Sequence, residues 1–363
     1  YHAVKGYISS LLDAGVKVAI AEQVEDPKQA KGLVKREITQ IITPGTVLDD
    51  DVLSASRSNF LVALMPNRSR IGLALLDFST GEFRLTEFEG EAVLETELNR
   101  LQPAECIVPE SVYGRWETES FPDVSSNTVW TPLEDWLFDY DIASDRICRQ
   151  FGVASLDGYG CRGLDTAVCA AGAVFYYAQT NLRKDAAHLT GLSVYRVDDC
   201  MALDRISQRN LELVESLFAD SRDATLLSVV DGTITPMGGR MIREWLLRPL
   251  LDCARIRARQ DAVKAFVEDP ILLGEFREAL MNVRDLARTI VRVSVGSANA
   301  RDLIVLQRGL AAVPGLKALL QEQEADLIKE LADKLIELPE IAELIENAIV
   351  DEPPITLREG GII

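Results

Sequence analysis

Histidine is almost missing from this 363-residue sequence: His2 and His188 are the only two, so a histidine-based triad or a multi-histidine metal centre has little to be built from. The six cysteines (Cys106, Cys148, Cys161, Cys169, Cys200, Cys253) include no Cys-x-x-Cys pair. That argues against a zinc site or a disulfide scaffold and for buried reduced thiols. No Gly-x-x-x-x-Gly-Lys-Ser/Thr string occurs, so a phosphate-cradling nucleotide loop is not expected in this chain. We find no uninterrupted apolar run of bilayer length, and the opening Tyr1-His2-Ala3-Val4-Lys5 lacks a signal-peptide pattern. A cytoplasmic protein without membrane association is therefore expected. Positive charge is scarce as well: 38 Lys and Arg against 57 Asp and Glu give a net charge of -19. Most of the surface should repel nucleic acid, because phosphate binding depends on Lys and Arg replacing counterions.

What is present is ordinary globular material, 47% hydrophobic and 26% charged, in a chain long enough for two or three domains. Val4, Tyr7, Ile8, Leu11 and Leu12 repeat at helical spacing before Gly15, and 16–20 and 38–43 look like strands. Between them lies the basic stretch 28–36. Asp49-Asp50-Asp51 marks a linker and a boundary near 55. Beyond it, 60–64, 71–78 and 82–88 are strand-like, with Ser79-Thr80-Gly81 as the turn of an antiparallel hairpin or meander. A helix over 92–101, a strand over 104–108 and helices over 136–151 and 164–182 complete an α/β unit. From about 202 helical periodicity dominates, through 210–216, 238–247, 256–267, 286–293 and 301–320. Residues 321–349 read as a long exposed acidic helix interrupted or kinked at Pro339. Thr235 before Pro236 is a helix start, and Gly238-Gly239 permits tight helix approach. The expected fold class is thus multi-domain α+β.

Three sets of residues resemble one family. Leu203-Asp204, Arg209-Asn210-Leu211-Glu212-Leu213, Val230-Asp231, Thr235 to Met241, Trp245-Leu246, Pro249-Leu250 and Arg259-Gln260 resemble the core and lever domain of the MutS family of DNA mismatch repair proteins. Leu75 to Phe83, with Glu97-Leu98-Asn99-Arg100-Leu101-Gln102-Pro103-Ala104-Glu105, is similar to its RNase H-like connector. Tyr1 to Tyr7, Ala19 to Gln23, Asp26-Pro27 and Ile42-Thr43-Pro44-Gly45-Thr46 resemble the end of its mismatch-recognition domain, with Ala21 where many members have Cys. The resemblance implies three regions: 1–55, the end of the mismatch-recognition domain plus linker; 56–195, the connector; and 196–363, the helical core and lever up to the start of the clamp. It further implies that the mismatch-reading Phe-x-Glu loop would precede Tyr1 and the ATPase, with its ATP and Mg, would follow Ile363. This chain would then be a truncated, non-catalytic piece without cofactor, metal or nucleotide of its own. The implied partners are mismatched double-stranded DNA, a MutL-type protein docking on the connector, and a second copy in a homodimer.

Residue by residue, Tyr1, His2, Lys31, Lys35 and Arg36 are the candidates for touching the DNA backbone, against the alternative of a solvated loop face. Arg240, Arg243, Arg248, Arg255, Arg257 and Arg259 could form a second basic face, or pair internally with the abundant carboxylates. Asp77 in an RNase H-like domain raises the alternative of a metal-dependent nuclease, against a backbone-bonding turn aspartate. A helical interaction scaffold is the remaining rival.

Overall fold

The structure, a computed structural model, describes residues 2–23, 35–124, 127–183, 186–217, 224–354 and 360–363. The chain divides into two compact units, Tyr1–Ser54 with Ser58–Val197, and Ala55–Arg57 with Asp198–Ile363.

The first unit opens with helix α1 (His2–Asp13) and a two-stranded antiparallel ribbon, β1 (Val18–Gln23) and β2 (Arg36–Ile42), running from Val18 opposite Ile42 to Gln23 opposite Arg36. Ile8, Leu12 and Val47 form a small core under this ribbon with Val18, Ile20 and Ile42. The meander expected from the alternation follows as β3 (Leu61–Asn67), β4 (Arg70–Asp77) and β5 (Glu82–Glu89), each antiparallel to the last. Then come α2 (Glu91–Leu101), β6 (Glu105–Pro109), α3 (Glu110–Thr118), β7 (Val129–Leu133), α4 (Tyr140–Phe151), α5 (Asp165–Leu182) and the short β8 (Ser193–Val194). The sheet order is β7-β6-β3-β4-β5-β8, with β6 parallel to β3, β7 parallel to β6 and β8 parallel to β5.

Helices on both faces explain why β3 and β4 read as continuous apolar runs rather than alternating ones. Val62, Leu64, Leu73 and Leu75 pack with Leu94, Leu98 and Trp116 beside α2 and α3. The other face takes α5, which buries every residue from Thr166 to Ala178 except Tyr176. Its approach is possible because position 72 has no side chain: a Cβ there would stand 2.1 Å from the carbonyl carbon of Thr166.

The second unit is helical: α6 (Arg205–Asn210), α7 (Leu226–Val230), α8 (Pro236–Leu247), α9 (Cys253–Glu268), α10 (Pro270–Leu280), α11 (Leu286–Ser294), α12 (Ala300–Gln321), α13 (Asp326–Lys334) and α14 (Pro339–Ala348). Its cores are small, one around Ile304, Leu306 and Ile345, another around Leu320, Ile328 and Ala332.

Several expectations need correction. The helix placed at 210–216 lies at 205–210 instead, capped by Asp204 and followed by turns in which Glu212 takes φ 46. The interruption expected at Pro339 is there, with Pro339 in the first turn of α14, but the stretch is not wholly exposed: Ile328, Ala332, Ala342 and Ile345 are buried. Trp136 belongs to a 3-10 turn, and α4 starts only after Asp139, whose side chain caps it. Gly238-Gly239 lies nearest to the loop residues Thr233 and Ser56 rather than to another helix. Only Cys106, Cys161 and Cys169 are buried; Cys148 and Cys200 are half-buried and Cys253 is exposed, all of them free. By length and hydropathy α12 could cross a bilayer, which the sequence reading did not anticipate. It carries Arg301, Asp302, Arg308 and Lys317 and packs against α10, α11, α13 and α14.

Candidate nucleic-acid interface

Of the five residues expected to face DNA, Tyr1 and Lys31 lie outside the described residues, and so does the side chain of His2, whose backbone opens α1. Lys35 and Arg36 are exposed at the start of β2. Lys35 is not an open cation: its Nζ lies 2.6 Å from Oε1 of Glu37. That pairing raises the lysine above its ordinary value and lowers the glutamate. A third basic residue joins them that the sequence did not suggest. Arg183, the left-handed C-cap of α5 (φ 49), donates from Nη1 to the Ile38 carbonyl of β2 at 2.5 Å. The end of the long helix at 164–182 was legible; its approach to a strand 145 residues earlier was not.

Four of the six candidate arginines of the helical unit have internal contacts, while Arg255 and Arg257 are exposed. Arg240 forms a two-pronged pair with Asp285 at 2.5 and 3.0 Å. Arg248 sits 3.9 Å from Glu244, and Arg259 lies over the Trp245 ring, 3.6 Å from its centroid. Burial, with Arg57 nearby, pushes Arg243 down to about 10. For these four the contacts are internal.

Asp77 is fully buried and its carboxylate is occupied. Oδ1 accepts from the Ser79 amide at 3.0 Å and from its hydroxyl at 2.6 Å, while Oδ2 accepts from the Asn59 amide at 3.0 Å. It is therefore a turn-forming aspartate. Among the described residues no three His, Cys, Asp or Glu side chains are placed to hold a metal ion, and the nuclease alternative gains no support.

Asp77 leads instead to a polar junction that unites motifs read separately in the sequence. The Asn59 side chain donates to the Pro44 carbonyl at 2.9 Å. Pro44–Thr46 is a 3-10 turn closed by Thr43, whose amide donates to the Thr46 hydroxyl at 3.0 Å. The Gly45 amide donates to Oε2 of Glu105 at 3.2 Å. Glu105 is itself fully buried at the start of β6, and its Oε1 accepts from the hydroxyls of Thr131 and Tyr177, both at 2.6 Å, with Lys17 Nζ at 3.4 Å. Burial and the adjacent Glu105 raise the Tyr177 phenol far above its ordinary value. A buried carboxylate is tolerated when charge-assisted donors surround it. The sequence flagged Thr43 to Thr46, Leu76 to Gly81 and Glu105 as signatures without showing that they meet.

Three family models match the chain in sequence: MutS domain I over residues 1–51, MutS domain II over 59–190 and MutS domain III over 207–363. Among curated relatives, the DNA mismatch repair protein MutS of Symbiobacterium thermophilum is 42% identical over 366 residues. That of Methanosarcina acetivorans is 39% identical over 381 residues; both alignments take in 100% of this chain. The MutS of Protochlamydia amoebophila is 40% identical over 362 residues, 99% of the chain. The chain spans 42% of the length of each of these relatives.

Proposed function

Because the chain belongs to the MutS family, we propose that it is the non-catalytic connector and lever region of a DNA mismatch repair protein, coupling mismatched-DNA binding to an ATPase. Residues 1–55 are, in this reading, the last part of the mismatch-recognition domain, 56–195 an RNase H-like connector, and 196–363 the core and lever. The observation that carries it is the succession of three domain models of one family along one chain. Two features support it: a buried carboxylate junction holds the first segment on the connector sheet, and in the helical unit Arg240 is held by Asp285 and Arg259 by the Trp245 ring. ATP, Mg and the homodimer contact belong to the ATPase of the whole protein, a MutL-type partner docks on the connector, and the protein works in the cytoplasm. DNA contact falls to Tyr1, His2, Lys31, Lys35 and Arg36, to which Arg183 is added by its place beside β2.

Fluorescence-anisotropy titration of the 363-residue chain with matched and mismatched duplexes, over a salt series, tests this. A net charge of -19 and a handful of cations predict weak association that does not discriminate a mismatch. With about three phosphate contacts, log K should fall with log salt at a slope of about -2.7, shallower in Arg36→Ala and Arg183→Ala. A clear mismatch preference would place recognition in residues assigned here to other work. No association at low salt would remove Lys35, Arg36 and Arg183 from the DNA face.

A further inference from the structure

We propose that Glu105 is a positioning residue through which displacement of the first segment, residues 1–54, is passed into helix α5; the proposal rests on reading the chain as a coupling element. Four donors meet on its carboxylate, and they come from both sides of a junction. Lys17 Nζ (3.4 Å) and the Gly45 amide (3.2 Å) belong to the first segment. The Thr131 and Tyr177 hydroxyls, both at 2.6 Å, belong to β7 and α5. Lys17 reinforces the crossing: its Nζ donates to Thr131 Oγ1 at 3.0 Å and lies 5.3 Å from the centroid of the Tyr177 ring.

The geometry leaves little slack. A Cβ at position 45 would stand 3.0 Å from the Cβ of Glu105 and 2.6 Å from Leu61 Cδ1, so a glycine is needed for the amide to reach the carboxylate. Because Glu105 is fully buried, a shift of Lys17 or Gly45 must be followed by the carboxylate or leave a buried group less well satisfied. Tyr177 then moves with it, and Tyr177 is part of α5. The same helix is held a second time, where Arg183 donates to Ile38 of β2. Two attachments about 9 Å apart along the helix resist pivoting, so motion of the ribbon carrying Lys35 and Arg36 is delivered to α5 as a whole, and α5 lies across β3 and β4.

Hydrogen-exchange mass spectrometry on the 363-residue chain tests this with Lys17→Met, Lys17→Arg, Glu105→Gln and Tyr177→Phe. Lys17→Met alters only the first segment, with a side chain that is 38% exposed, yet we expect it to speed exchange in the C-terminal half of α5 about tenfold, as loss of one charge-assisted hydrogen bond would. Exchange in β4 and β5 should be unchanged and Lys17→Arg should restore protection. The double variant Lys17→Met/Tyr177→Phe should exchange no faster in α5 than Tyr177→Phe alone. Unchanged α5 exchange in Lys17→Met overturns the proposal, as does an increase spread evenly over β4, β5 and α5. If Glu105→Gln does not fold, the Lys17 and Tyr177 variants decide the matter. Duplex titration of the same proteins separates the two readings: a wild-type chain that binds no DNA removes the DNA-coupling role, while the exchange data still decide whether Glu105 links the first segment to α5.

Discussion

The two units hold most of their helices in different ways. In the sheet-bearing unit α2, α3 and α5 begin at Gly90, Pro109 and Leu164 with no side-chain cap, α4 starts on Asp139, and α5 persists because almost all of it is buried against strands and α4. In the helical unit every helix from α6 to α12 begins on a capping side chain, Asp204, Thr225, Thr235, Asp252, Asp269, Asp285 and Asn299, and only α13 and α14 among the described helices of that unit do not. There burial is thin. Among the described residues no α9 side chain is buried, and Val229, Ile271 and Leu344 are 81%, 75% and 68% exposed. A helix whose apolar face is covered can leave its first amides to backbone and water, whereas one left in solvent depends on satisfying them locally. Part of the chain's excess of carboxylates is thereby given a structural purpose.

The sharpest way to break the contrast is at the sheet. Gly72→Ala brings a Cβ to 2.1 Å from the Thr166 backbone, and neither strand nor helix can yield cheaply. A loss of about 3 kcal/mol is expected in denaturant unfolding of the sheet-bearing unit, near the upper end of overpacking effects, with the helical unit's transition unmoved.

A smaller effect separates the units by pH. His188 packs edge-on against Phe78, ring centroids 4.5 Å apart, and burial lowers it from 6.5 to about 4. The folded state therefore resists a proton that the unfolded chain accepts. Stability is complete above pH 6.5 and falls as pH drops toward 4, by about 1–2 kcal/mol once partial exposure is allowed for. Thermal melts at pH 7 and pH 5 should show this loss in the wild type and not in His188→Leu. The helical unit contains no histidine and should lack this component.

The smallest pair of effects lies in α10. Asp269→Ala removes the acceptor of the Ile271 and Leu272 amides and should cost about 1 kcal/mol. Gly274→Ala, where an added Cβ meets nothing within 4 Å, should gain about 0.5–1 kcal/mol. If Asp269→Ala were neutral, or Gly274→Ala destabilising, local helix chemistry would not be what holds this unit.

This division also explains what could be read in advance. The strands at 60–64 and 71–78 were legible because a sheet covered on both faces writes its burial into continuous apolar runs, and 82–88 because it alternates. Residues 301–320 announced themselves by helical periodicity. Of the capping residues only Thr235 was recognised, because a single Asp before an exposed helix is indistinguishable by type from any surface acid. The five-residue β7 is too short for a period to emerge. Lys35 and Arg36 stood out as a departure from an acidic background, but Glu37 beside Lys35 tempers one of them. Arg183 and Glu105 depend on partners far away in sequence, which no local pattern encodes.

The helical unit is not a contiguous stretch of polypeptide. Arg240 donates to the Ala55 carbonyl and Arg288 to that of Arg57, across 185 and 231 residues, so three residues made early in translation wait for helices made much later. A gene segment beginning at 198 would encode the helices without the strand of backbone that satisfies two of their arginines. On the ribosome this unit can be completed only after the intervening unit has been synthesised in full.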